Sequence, residues 1–148
     1  FFPLRLILVF SIFCSSFFEG RSQELISWKD LEDVSYEMRY DSTAGYMAMN
    51  PVYGETLQKF EMKEVKIKGY VLPMDTEGHE FVLSAFPYSS CFFCGGGGKE
   101  TVMELEFGSK KSYKIDQLMT FKGKLMLNED PFGLNFILKE AEEVEMNR

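Results

Sequence analysis

Apolar and polar residues alternate in short runs along most of this chain. Val34, Tyr36, Met38 and Tyr40 are separated by Ser35, Glu37 and Arg39, and a period of two turns one face of a strand toward a core. The clearest run is Val65-Lys66-Ile67-Lys68-Gly69-Tyr70-Val71-Leu72, which Pro73 ends. Turn residues from Asp75 to Gly78 send the chain back as Glu80 to Phe86, a hairpin. Thr101 to Phe107 alternates again, Gly108-Ser109 turns, and Tyr113 to Ile115 reads as a short strand or part of a connection. Met119 to Leu127 and Leu134 to Lys139 predict a last hairpin around Asn128-Glu129-Asp130-Pro131-Phe132-Gly133. The one helical signal is Ser27, an N-cap before the turn Trp28-Lys29-Asp30-Leu31. Asp41 to Pro51 carries the turn signals Gly45 and Asn50-Pro51 and predicts a loop. Its Tyr46, Met47 and Met49 are too apolar for a solvated loop, so it is expected to fold over the core. Glu140 to Arg148 is acidic and reads as a frayed strand or a short helix.

Five to six short strands with one core and little helix predict a mainly β fold. The expected architecture is a small antiparallel barrel, OB-like, with a short N-terminal helical turn. Phe107-Gly108 and Phe121-Lys122-Gly123 set glycine beside bulky residues, as barrel bends do.

The N-terminus adds a compartment. Leu4 to Phe13 is an apolar run too short to cross a bilayer as a helix. Arg5 precedes its centre, and Gly20 and Ser22 stand at −3 and −1 if the mature chain starts at Gln23. Residues 1–22 therefore read as a signal peptide and 23–148 as a single exported domain, periplasmic or secreted. Phe13 before Cys14 is the wrong neighbour for a lipidation site. No second segment of membrane length follows, so no membrane span is expected after the signal is removed. The net charge of −7 argues against nucleic acid, whose phosphates need a basic footprint.

With Cys14 in the signal, the remaining thiols lie together in Cys91-Phe92-Phe93-Cys94, followed by Gly95-Gly96-Gly97-Gly98. This loop is the candidate site. Three chemistries are open to it. Cys-x-x-Cys spacing suits two thiolate ligands on one Zn²⁺ or Cu⁺. Structural zinc takes four ligands, and the chain has a single His, His79, before the strand that leads to the cysteines. A strand separates its ends by about 20 Å at roughly 3.3 Å per residue, so His79 joins a metal only if the chain curls or a second subunit supplies it. Met47, Met49, Met119 and Met126 bear on copper in the same way, with core packing as the alternative. A redox couple needs a helix start after a strand to favour the thiolate, and four glycines oppose one. A disulfide staple is what an oxidising compartment favours, and it holds Phe92 and Phe93 outward as a binding edge.

Catalysis finds little support. Gly98-Lys99-Glu100-Thr101 lacks the hydroxyl that follows the lysine of a P-loop. One His in a turn gives no nucleophile–base pair, and Glu142-Glu143 reads as a solvated face. The protein is not expected to be an enzyme.

Several residues together resemble a family of small exported bacterial proteins, domain of unknown function 3299. They are Trp28-x-x-Leu31, Val65-x-Ile67-x-Gly69-Tyr70-Val71-x-Pro73, the apolar strand Phe81-Val82-Leu83 leading to Cys91, and a strand with Val102. The family pattern has Cys-x-His and then prolines; here Phe93 stands at the His position, Cys94 is extra, and Gly95 to Gly98 replace the prolines. The resemblance implies an exported OB-like barrel with no established reaction and a loose link to envelope metal handling, zinc especially. The expectation drawn from all of this is a binding protein holding zinc at Cys91 and Cys94, with His79 as a further ligand. The alternative is a non-catalytic module with a Cys91–Cys94 disulfide. There Phe92, Phe93, Gly95, Gly96, Gly97 and Gly98 form a binding loop, joined by the Tyr46–Met49 segment, for an envelope partner or a second copy. A thiol–disulfide redox protein is the third reading.

Overall fold

The computed structural model describes residues 23–145. The signal-peptide reading of 1–22, Cys14 and the last three residues of the tail lie outside them. The described residues form eight strands: β1 (Glu24–Leu25), β2 (Val34–Asp41), β3 (Tyr46–Tyr53), β4 (Glu64–Pro73), β5 (Phe81–Ser84), β6 (Val102–Leu105), β7 (Gln117–Leu127) and β8 (Phe136–Glu143). The six-stranded sheet runs β1-β4-β5-β6-β8-β7, and β7 pairs back onto β4. This closes β4, β5, β6, β8 and β7 into a five-stranded barrel with β1 added outside.

The barrel is mixed rather than purely antiparallel. β6 meets β8 in parallel, Glu104 opposite Ile137, and β1 lies parallel to β4. Alternation of the sequence sends Val65, Ile67, Val71, Phe81, Leu83, Met103, Leu105, Phe121, Leu125, Phe136 and Leu138 to one buried interior cluster. A bulge at Lys122/Lys124 brackets Gly123, one of the bends expected from sequence. The expected N-terminal turn is a 3₁₀ helix, Trp28–Glu32, whose Ser27 amide and hydroxyl both donate to the Asp30 carboxylate at 2.7 Å. Trp28 Nε1 then donates to the Lys68 carbonyl at 2.8 Å and fixes this turn against β4.

A further expectation changes. The segment read as a loop to Pro51 is largely strand: β3 pairs antiparallel with all of β2, Tyr36 opposite Pro51 and Met38 opposite Met49. The Asn50-Pro51 turn signal loses to cross-strand pairing, and only 42–45 turn, with Gly45 at φ +79°. Tyr113 to Ile115 is part of a connection, the second of its two readings. Its Tyr113 ring packs edge-on to Phe81 and Phe121, at 5.2 and 5.7 Å, and helps to fill the barrel. The Glu140 end continues β8 to Glu143.

Candidate functional site

β5 is buried on both faces, which an alternating strand on a barrel surface need not be. Phe81 and Leu83 point into the barrel, while Val82 joins Leu72, Val102 and Cys91 in a second, outer cluster. The cover is the β5–β6 connection itself. The Ala85 amide donates to the Thr101 carbonyl at 2.9 Å and closes its neck. The chain between makes 3₁₀ turns at Tyr88–Ser90, Phe92–Cys94 and Lys99–Thr101. The Cys91 carbonyl accepts from the Cys94 amide at 3.0 Å and the Gly96 amide at 2.9 Å. Gly95, at φ +81°, ends the turn in a conformation that side chains resist. A Cβ on Gly96 would collide with the Ser90 carbonyl oxygen, so only glycine fits.

This fold gives the two cysteines different surroundings. Cys91 is fully buried and acts as a small apolar residue of the outer cluster. Cys94 is exposed, and both thiols are free. Desolvation, then the charge and hydrogen bond of Cys91, push the Cys94 thiol above its ordinary range. That is the wrong direction for a redox nucleophile, which needs a stabilised thiolate.

His79 belongs to the 75–79 turn. Its amide donates to Asp75, and its exposed ring places Nδ1 3.5 Å from Glu77 Oε2 and 3.7 Å from Asp75 Oδ2. Among the described residues no group of three or more His, Cys, Asp or Glu converges as a metal site would require. Cys91 and Cys94 thus supply only a thiol pair, one member packed in an apolar cluster. That donor set does not fit a structural zinc within one chain.

What the structure does assemble is a pair of grooves that meet at Phe132. One groove of about 420 Å³ crosses the outer face of β5 and β6 and is lined by Met74, His79, Glu80, Val82, Phe93, Glu104, Phe132 and Leu134. It is bounded by the β4–β5 and β7–β8 connections, which with the second and third barrel strands form the usual ligand face of an OB barrel. A second groove of about 480 Å³ runs between the β2–β3 hairpin and the glycine loop, lined by Tyr36, Tyr46, Met47, Met49, Gly98, Lys99, Pro131 and Phe132. Phe132 lines both grooves and is 62% exposed, and Phe93 is 43% exposed. Phe92 is partly buried against the outer cluster and holds Phe93 by an edge contact at 5.4 Å.

Polar bonds fix the Phe132 loop from both sides. The Lys99 ammonium donates to the Pro131 carbonyl at 2.9 Å and the Gly133 carbonyl at 3.1 Å, tying the glycine loop to it. From the hairpin, the Tyr53 hydroxyl lies in hydrogen-bond contact with the Asn128 and Asn135 carbonyls. Asn135 Nδ2 donates to the Tyr36 hydroxyl at 2.7 Å. Burial pushes the Tyr53 hydroxyl well above the usual tyrosine range. Sequence reasoning found Phe93 and Met47 but missed Phe132, which sits in a stretch that reads only as a turn.

No protein-family model matches the chain. No curated protein matches it either. Among solved structures, it is similar to a DUF3299 family protein from Pseudomonas aeruginosa PAO1, with a TM-score of 0.53 and 10% identity over 86% of this chain and 99% of that one. At that identity the likeness establishes a shared fold. It falls on the family whose residue pattern the chain resembles, from Trp28 to Val102.

Proposed function

We propose that this chain is a DUF3299-like, exported and non-catalytic binding module that recognises another protein in the cell envelope. The observation that carries the reading is Phe132: one exposed ring shared by two grooves, one mainly apolar and one with a mixed apolar and acidic lining, held from the hairpin side and the glycine-loop side. Scattered exposed apolar residues are ordinary, but a contiguous apolar surface on a folded domain marks contact with a partner. Cys91 anchors the loop that presents Phe93, so the cysteine loop serves as the frame of the binding surface. Export rests on the signal-like residues 1–22.

The test is site-specific photo-crosslinking in the envelope, with the photoreactive residue at position 132 and a control at Lys110. Discrete adducts at 132, absent at 110 and lost on Phe93→Ala, are expected. The absence of adducts at 132 overturns the reading. Elemental analysis runs beside it: about one zinc per one or two chains, lost on Cys94→Ser, favours a metal site completed by a second chain instead.

A further inference from the structure

We infer that the groove across β5 and β6 takes an extended, basic segment of protein, a deeper statement of the binding-module reading on which it rests. The argument is charge complementarity. Along the neighbouring β8 and its flanks, carboxylates are matched by lysines: Glu106 with Lys139 at 2.8 Å, Glu140 with Lys124 at 2.9 Å, Glu142 with Lys122 at 2.8 Å and Glu143 with Lys111 at 3.7 Å. Glu80 and Glu104 line the groove, and neither forms an ion pair among the described residues. The one ionisable nitrogen in the lining is His79, already beside Asp75 and Glu77. Lys99, in the adjoining groove, has its ammonium bonded to backbone carbonyls. The groove therefore offers two carboxylates without a direct ion pair next to Phe93 and Phe132, with the Lys139 ammonium, bonded to Glu106, the one cation that also acts on Glu104.

Register supplies a spacing. Val82 lies opposite Glu104; the Met74 amide donates to the Glu80 carbonyl at 2.9 Å, so Glu80 continues the extended run next to β5 and alternation sets it on the face of Val82. The two carboxylates are diagonal neighbours, roughly 7–8 Å apart at their Cα atoms. Alternate residues of an extended chain repeat at about the same interval. A ligand with two cationic side chains at alternate positions, followed by an apolar one, matches both carboxylates and reaches the phenylalanine rims. The sign of the charge excludes nucleic acid as the occupant.

The test uses the described domain with its N-terminal segment, ¹⁵N-labelled, and a synthetic peptide, acetyl-Ser-Lys-Ser-Lys-Ser-Leu-Ser-amide. Its counterpart carries glutamates for the lysines. Saturable shifts confined to β5, β6, the 74–80 turn, the Phe92–Cys94 turn and the 128–135 loop are expected, and none with the counterpart. Glu104→Gln and Glu80→Gln should each weaken binding by about threefold to fivefold, as exposed charge pairs do. Phe93→Ala should weaken it at least about fivefold. All three positions are exposed or at a loop, so a matching unfolding midpoint serves as the folding control. Equal binding of both peptides, shifts elsewhere, or no saturation at millimolar peptide overturns the inference. So does concentration-dependent self-association abolished by Phe132→Ala, which assigns the surface to a second copy. If the peptide fails while the crosslink at 132 persists, the basic-segment inference falls and the binding-module reading stands; if both fail, both fall.

Discussion

Cys91→Ser separates a core cysteine from a ligand or a disulfide partner. The substitution places a hydroxyl among Leu72, Val82 and Val102, where the thiol is fully buried. An unpaired hydroxyl in such a place costs about 1–3 kcal/mol on mutational scales. Losing a methylene-sized apolar group adds about 0.8 kcal/mol. Cys91→Ser should therefore destabilise the domain by about 2–4 kcal/mol. Cys91→Ala, which leaves a small cavity and no polar group, should cost about 1–2 kcal/mol. Cys94→Ser, at an exposed position, should stay within about 0.5 kcal/mol. Urea unfolding under reductant and chelator measures all three, read by the fluorescence of Trp28, the sole tryptophan, which is bonded to β4. A shared ligand set or an essential disulfide makes the two serine variants equivalent once metal or oxidant is supplied. Equal losses for Cys91→Ser and Cys94→Ser, or no loss for Cys91→Ser, would refute the core assignment.

Other outcomes follow from the same contacts. Lys99→Met keeps the aliphatic stem but removes both carbonyl bonds; a loss of about 2 kcal/mol is expected, with faster amide exchange across 128–135. Gly96→Ala drives a methyl into the Ser90 carbonyl, so the loop must shift at a cost of about 1–3 kcal/mol, seen as new reactivity of Cys91 toward iodoacetamide. In the native protein Cys94 should alkylate more slowly at pH 8 than a free cysteine, because its thiol is held protonated, and Cys91 only after unfolding. Burial and, for Tyr113, the adjacent Glu143 raise both tyrosine hydroxyls, Tyr53 and Tyr113, in the folded state. The unfolded chain ionises first, so this contribution is intact below about pH 10 and declines above it. Alkaline denaturation should begin there, and Tyr53→Phe or Tyr113→Phe should flatten its slope; a pH-independent limb would argue against burial as the cause.

Period-two patterning makes most of the barrel legible from the sequence. β4, β6, β7 and β8 lie where alternation puts them, because one buried face constrains every second residue. β3 is hidden because Asn50-Pro51 imitates a turn, and a two-stranded ribbon tolerates proline that a central strand does not. The parallel β6–β8 closure depends on contacts between distant segments, which no local pattern carries. At the candidate site, the cysteine spacing draws attention to the loop for a chemistry that its donor set does not complete within one chain. Cys91 alone gives no sign of its burial, since the apolar residues that cover it come from β4, β5 and β6. Phe132 is unreadable for the same reason: its importance comes from what Lys99 and Asn135 bring to either side.

The β2–β3 hairpin is a ribbon of two strands outside the barrel's hydrogen-bonded sheet, so each has one flank without a strand partner. Open flanks of this kind recruit strands from other molecules and seed aggregation. Pro51 lies mid-strand opposite Tyr36. Having no N–H, it is accommodated where its nitrogen turns away from the partner strand, toward the other flank, and the residue is buried there. The free flank of β3 is thereby missing a donor in the middle of its run, and an incoming strand would find an interrupted ladder. The residue that disguises this strand in the sequence is also what keeps its edge from being copied.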